Sequence, residues 1–177
     1  MRIRLTWGWI TVAVVAVLVT CVALDGFPKL KHREPRTERY ASVEEAEEAA
    51  GFHIPRPGPE YSVESTTLEW WGHDDRPVSY TSYHGPGLES RFISVTVALR
   101  EEYPDDPGYR AMLAQLGMST TIGARTGWLT GWNDPARASR RFTFECGSLD
   151  GAALWCEVSA AKDIGRDVFE AFIATLE

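Results

Sequence analysis

Hydrophobic and polar positions along the chain fall into three patterns. The first is a run without charge from Leu5 to Leu24. As a helix those 20 residues would be about 30 Å long, the thickness of a bilayer core. Trp7 and Trp9 sit near one end, where amphipathic rings favour the membrane interface. The second pattern is helical. Ser42 with Glu45 forms a capping box, and Val43, Ala46, Ala49 and Ala50 form one apolar stripe that Gly51 ends. Pro55, Pro57 and Pro59 then force an extended exit, with Phe52 and Ile54 free to pack on a sheet. "PDDPGYRAMLAQLG" predicts a second helix: Asp106 caps, Pro107 opens, Gly117 stops, and Tyr109, Met112, Leu113 and Leu116 line one side. "KDIGRDVFEAFIATLE" predicts a closing helix with Ile164, Val168, Phe169, Phe172, Ile173 and Leu176 on one face.

The third pattern alternates with strand period. "YSVESTTLEWW", "PVSYTSYH" and "SRFISVTVALREE" are three successive strands, the first two joined by the turn "GHDDR". "TTIGARTGWLTGW" is a Gly-interrupted strand or strand pair. In "RRFTFECGSLDGAALWCEVSA", Phe142, Phe144 and Cys146 alternate with polar residues. Leu154, Cys156 and Val158 alternate with Trp155, Glu157 and Ser159, and the turn formers between the two runs predict a hairpin centred near Gly151. Runs of strands broken by single helices imply an α+β fold. The expectation is an N-terminal transmembrane helix followed by an antiparallel sheet of about six strands packed by two or three helices. The boundaries are 1–24 for the anchor, 25–40 for a basic, Pro-containing linker, and 41–177 for the extracytoplasmic domain. The two halves of that domain have similar element order without a residue-level repeat.

Charge narrows the partners. Arg2 and Arg4 are the only charges before Asp25, so the rest of the chain carries 16 of the 18 basic residues against all 25 acids, a net charge of −9. A domain that acidic repels phosphate backbones, which argues against nucleic acid. The membrane, through Leu5 to Leu24, is the partner the pattern does imply. Lys29, Lys31, Arg33, Arg36 and Arg39 follow the span and would place the C-terminal side inside the cell by the positive-inside rule. That rule weakens for long domains, and the cysteines argue the opposite way. In a hairpin centred on Gly151, Cys146 and Cys156 fall opposite each other, close enough for a disulfide. A disulfide implies an oxidising compartment, so the C-terminal domain is expected outside the cytoplasm. Cys21 ends "LVTC", which resembles the bacterial lipobox, but Thr20 replaces the usual small residue and the apolar run continues past it. It is read as a residue within the membrane helix, with lipidation, or cleavage after Ala23, as alternatives.

"SVEEAEEAAGFHIPRP" resembles the start of bacterial extracytoplasmic domains found on anti-sigma factors and small lipoproteins. Those combine a Glu- and Ala-rich helix, Gly-Phe and Pro-x-Pro. Their fold is similar to the open half-barrel of the LolA and RseB lipoprotein-carrier group, and the downstream element order is also similar to the PsbP-like sandwich. Either resemblance implies sensing, holding of an apolar ligand or assembly at the membrane, without catalysis.

Candidate chemistry is sparse. His73, Asp74 and Asp75 with His84 are the best metal set, but about eight strand residues separate the two histidines, roughly 26 Å at 3.3 Å each, so they cannot share an ion. Glu101–Glu102 and Asp105–Asp106 fit a strand end and a helix cap. No nucleophile elbow, phosphate-cradling loop or His-Glu-x-x-His motif occurs, and no motif calls for a cofactor or metal. The aromatics are the candidate binding residues. Trp70 and Trp71 are adjacent in a strand and face opposite sides. Trp128 and Trp132, four apart, share a face with Thr130 if the strand continues. These four are either core or the lining of a binding surface. The sequence therefore predicts a non-enzymatic, membrane-anchored extracytoplasmic domain that binds a protein, lipid or small apolar ligand. A cell-envelope enzyme of unrecognised type is the competing reading.

Overall fold

Strand alternation continues further into the chain than apolar residues alone mark it. Arg36–Tyr40 (β1) carries no aliphatic residue, yet it pairs antiparallel along its whole length with Ser62–Trp70 (β2). Its lateral partners are polar and aromatic instead. The Arg36 guanidinium lies 4.8 Å from the Trp70 ring centroid, and the Tyr40 hydroxyl donates to Glu38 at 2.8 Å. Charged residues suit a strand with one edge open to water. The stretch expected to be linker up to residue 40 thus ends in a strand.

The computed structural model describes residues 36–71, 76–99, 117–132 and 139–177. They belong to one compact unit, Pro35–Glu177. The expected anchor from Leu5 to Leu24 with Cys21, the turn holding His73 to Asp75, and the helix expected from Asp106 lie outside the described residues. Among those described, Val43–Ala50 forms α1 and Arg166–Thr175 forms α2. The remaining strands are Val78–His84 (β3), Ile93–Leu99 (β4), Gly117–Ile122 (β5), Arg125–Thr130 (β6), Ser139–Leu149 (β7) and Ala152–Ala161 (β8). They make one antiparallel sheet in the order β1-β2-β3-β4-β8-β7-β6-β5. The fold is α+β, with eight strands where about six were expected. β1 accounts for one addition. The other arises because "TTIGARTGWLTGW" is a strand pair turning at Gly123 rather than one interrupted strand.

Two four-stranded meanders therefore meet where β4 pairs with β8. Ile93, Val95 and Val97 lie opposite Ala160, Val158 and Cys156, all buried. Both helices cover that same face. Val43, Ala46 and Ala50 of α1 and Phe169, Phe172 and Ile173 of α2 join one core cluster with Leu68, Tyr83 and Phe142 of the sheet. Ala49, expected on the apolar stripe of α1, is exposed. Phe172 anchors α2, with ring centroids 4.9 Å from Tyr61 and 5.7 Å from Tyr83. Burial pushes the Tyr83 phenol well above its ordinary pKa.

The exit from α1 is fixed by one carboxylate. Ser42 accepts the Glu45 N–H at 3.2 Å and caps the helix as expected, while the Glu45 carboxylate accepts from Ala41. Gly51, in the left-handed region, ends it. Glu47 then accepts the Ile54 N–H at 2.7 Å, lies 2.6 Å from His53 Nδ1 and pairs with Arg56. This holds the Pro-containing segment extended, with Phe52 and Ile54 buried. Arg56 and Glu177 exchange two backbone hydrogen bonds, of 3.2 and 2.8 Å, so the segment also captures the C-terminus.

Replacing Glu47 by Ala leaves a buried N–H without its acceptor and should cost about 1–3 kcal/mol in urea unfolding. Glu44→Ala removes only an exposed partner of Arg56 and should cost less than about 1 kcal/mol. Equal costs would show that Glu47 acts merely as a surface charge.

Candidate functional site

The face of the sheet opposite the helices is a polar, aromatic surface. Its central row, read across neighbouring strands, is Thr67, Tyr80, Thr96, Glu157, Thr143 and Trp128. Strand alternation puts them there because their neighbours Leu68, Val95, Val158, Phe142 and Leu129 occupy the core face. The next row holds Ala98, Trp155 and Glu145.

The four tryptophans expected as candidates divide between the two faces. Trp70 packs on the core cluster under Arg36. Trp71, one residue on, is 52% exposed. Its indole lies near the Tyr80 phenol on the face opposite α1 and α2. Trp128 stacks at 6.0 Å from Trp155. Trp132 was expected on the face of Trp128 and is instead on the helix side, 5.7 Å from Phe169 and 5.2 Å from the Arg140 guanidinium. Gly131 causes the change. Its φ of 83° breaks the strand after Thr130, and a Cβ there would stand 2.4 Å from the Ser139 carbonyl oxygen. Trp71 and Trp128 thus share the face opposite α1 and α2, while Trp70 and Trp132 belong to the other.

Sequence reasoning missed Tyr80 and Trp155. Tyr80 lies near Trp71. Burial pushes its phenol above the ordinary tyrosine range, and the nearby Glu69 carboxylate adds to the rise. Trp155 is only 3% exposed, although alternation turns it away from the helices. The signal for Tyr80 was its place in "PVSYTSYH", two strand positions from Val78; nothing local marks Trp155 as covered.

Cys146 and Cys156 are bonded, with Cα atoms 5.7 Å apart. They are not directly opposite each other as a hairpin centred on Gly151 would place them. Phe144 faces Cys156, and the ladder shifts by one residue between Glu145 and Gly147. The turn is Asp150-Gly151, both at positive φ, which sets a tighter register. Cys146 falls in the resulting bulge and reaches Cys156 diagonally.

His84 is committed to the fold. Its Nδ1 lies 2.7 Å from the Arg91 carbonyl oxygen and its Nε2 3.3 Å from the Glu64 carboxylate. Among the described residues no group of three or more His, Cys, Asp or Glu side chains is placed to hold a metal ion. His73 to Asp75 and the carboxylate pairs Glu101–Glu102 and Asp105–Asp106 lie outside them. The chemistry this surface offers is stacking on Trp71 and hydrogen bonding to the flanking hydroxyls and carboxylates.

No family model matches the chain, and neither a curated protein nor a solved structure matches it.

Burial separates the two aromatic groups energetically. Trp155→Ala should cost about 3–5 kcal/mol in denaturant unfolding. Trp71→Ala should stay within about 0.5 kcal/mol. The reverse ranking would show that Trp71, not Trp155, is structural.

Proposed function

We propose that this protein is a non-enzymatic binding or sensing domain, held at a membrane by Leu5 to Leu24 and displayed outside the cytoplasm. The observation that carries the binding reading is Trp71. It is half exposed and lies near the Tyr80 phenol, which the Glu69 carboxylate also approaches. A large aromatic left in water is stabilised when a partner covers it, and aromatic anchors ringed by polar groups are where binding energy concentrates. The Cys146–Cys156 bond supports an oxidising compartment. The uncharged N-terminal run supports anchoring. The resemblance of "SVEEAEEAAGFHIPRP" to extracytoplasmic domains of anti-sigma factors and lipoproteins points the same way. The partner class is an envelope protein or an apolar ligand.

The test uses the full-length protein in intact cells, with a photo-crosslinking amino acid in place of Thr67, which pairs with Tyr80 on the face of Trp71, or, as control, of Glu48 on the exposed side of α1. Irradiation should yield a discrete adduct at position 67 and none at 48. Adding Trp71→Ala should reduce that adduct about tenfold, the loss expected when an interface anchor is removed. Equal labelling at both positions would contradict binding at this surface.

A further inference from the structure

The two edges of the sheet are built differently. β1 forms one edge, and three of its five residues, Arg36, Glu38 and Arg39, are charged. Charged side chains along an edge strand discourage another chain from pairing there. β5 forms the other edge, and its residues Gly117 to Ile122 include neither a charge nor a proline. Among the described residues its ladder partner is β6 alone. Ser119 and Thr121 are exposed, and Met118 is 42% exposed.

The turn after β5 fixes which backbone groups point outward. Gly123, at φ 60°, and Ala124 form a two-residue turn, so Ile122 and Arg125 are a hydrogen-bonded pair. Alternation then directs the N–H and C=O of Ile122, Thr120 and Met118 toward β6, and those of Thr121, Ser119 and Gly117 away from it. An antiparallel neighbour completes the ladder when its own free groups recur at every second residue, and β5 itself meets that condition. With a two-fold axis at Ser119, Ser119 of one copy faces Ser119 of the other, and Gly117 faces Thr121 on either side. Each of these pairs is of the hydrogen-bonded kind, so the outward N–H and C=O groups of the strand are all matched. The side chains agree with that register. Met118 and Thr120 lie on the face of Ile122, which belongs to the core. Met118 would stand opposite Thr120 of the second copy and diagonal to its Met118 and Ile122, within reach of a long side chain.

We propose that β5 is a self-pairing edge, and that its occupant is β5 of a second copy of this chain, giving one continuous sheet across a two-fold axis. The same patch serves both copies and is used up by the contact, and the charged β1 edge gives no second place to grow, so association stops at two. The net charge of −9 carried after Arg4 opposes self-association, but none of it lies on β5, and salt screens separated charges beyond about 8 Å at physiological ionic strength. This goes beyond the binding reading and does not require it, since Trp71 and Tyr80 belong to the other half of the sheet.

Two differently tagged full-length chains expressed together provide the test, one of them carrying a photo-crosslinking amino acid at position 121, which faces Gly117 and so has room for a larger side chain. Irradiation should join the two tagged chains, with the adduct mapped by mass spectrometry to the peptide holding Gly117 of the second copy. Adducts confined to the same chain, to another protein or to a different segment of the second copy, or no adduct at all, overturn the proposal. Ser119→Lys in both chains sets like charges face to face and should lower the adduct about tenfold or more. Thr37→Lys, on the exposed β1 edge, should leave it within about twofold, as for a surface change away from the contact. Equal effects of the two variants, in protein that keeps the Cys146–Cys156 bond, overturn the proposal; if Ser119→Lys does not fold, the position of the crosslink decides alone.

Discussion

Everything in this fold depends on the pairing of β4 with β8. Each meander on its own would be a four-stranded sheet with one apolar face and two open edges, a marginal object in water. Joining them along seven residue pairs, Ile93–Leu99 against Leu154–Ala160, removes one edge from each and doubles the apolar face that α1 and α2 cover. The pair is also the most non-local contact in the sheet, since about 60 residues of chain intervene, so its closure entropy must be offset by burial. Val95 against Val158 and Val97 against Cys156 provide that burial, and the disulfide from Cys156 ties β8 to β7 at the same level. The seam also explains the symmetry of the strand order, in which each strand of one half has a counterpart at the same distance on the other side.

The seam gives the two faces different tasks. One is closed by helices and locked where the C-terminus meets the α1 exit through the Arg56–Glu177 backbone pair. The other is lined by hydroxyls, carboxylates and four aromatic rings, Trp71, Tyr80, Trp128 and Trp155, and only part of it is open. Among the described aromatics Trp71 and Phe92 are the two left about half exposed, and Trp71 is the one set beside Tyr80.

Much of the fold was legible in the sequence, for local reasons. The capping box at Ser42, the left-handed stop at Gly51, the apolar face of α2 and the alternating hairpin around Asp150 are each decided by neighbours a few residues apart. β1 was not legible, because its stability comes from β2 and from a cation over Trp70 rather than from an apolar period of its own. The disulfide partners were legible while their register was not, since a one-residue bulge at Cys146 depends on the turn that Asp150 and Gly151 adopt. The candidate site was half legible. The opposite orientations of Trp70 and Trp71 follow from strand period. The separation of Trp128 from Trp132 required knowing that Gly131 takes positive φ, and the link between Trp71 and Tyr80 required the pairing of β2 with β3.

Native-state hydrogen exchange across a low-denaturant series measures the dependence on the seam most directly. If the β4–β8 pairing holds the two meanders as one structure, amides of β4, β8 and β7 exchange slowest, and both meanders open with them at a single global free energy. The contradicting result is that β1–β3 and β5–β7 open as separate units at different free energies, with β4 and β8 no better protected than the edges; the seam would then not be what holds the fold together.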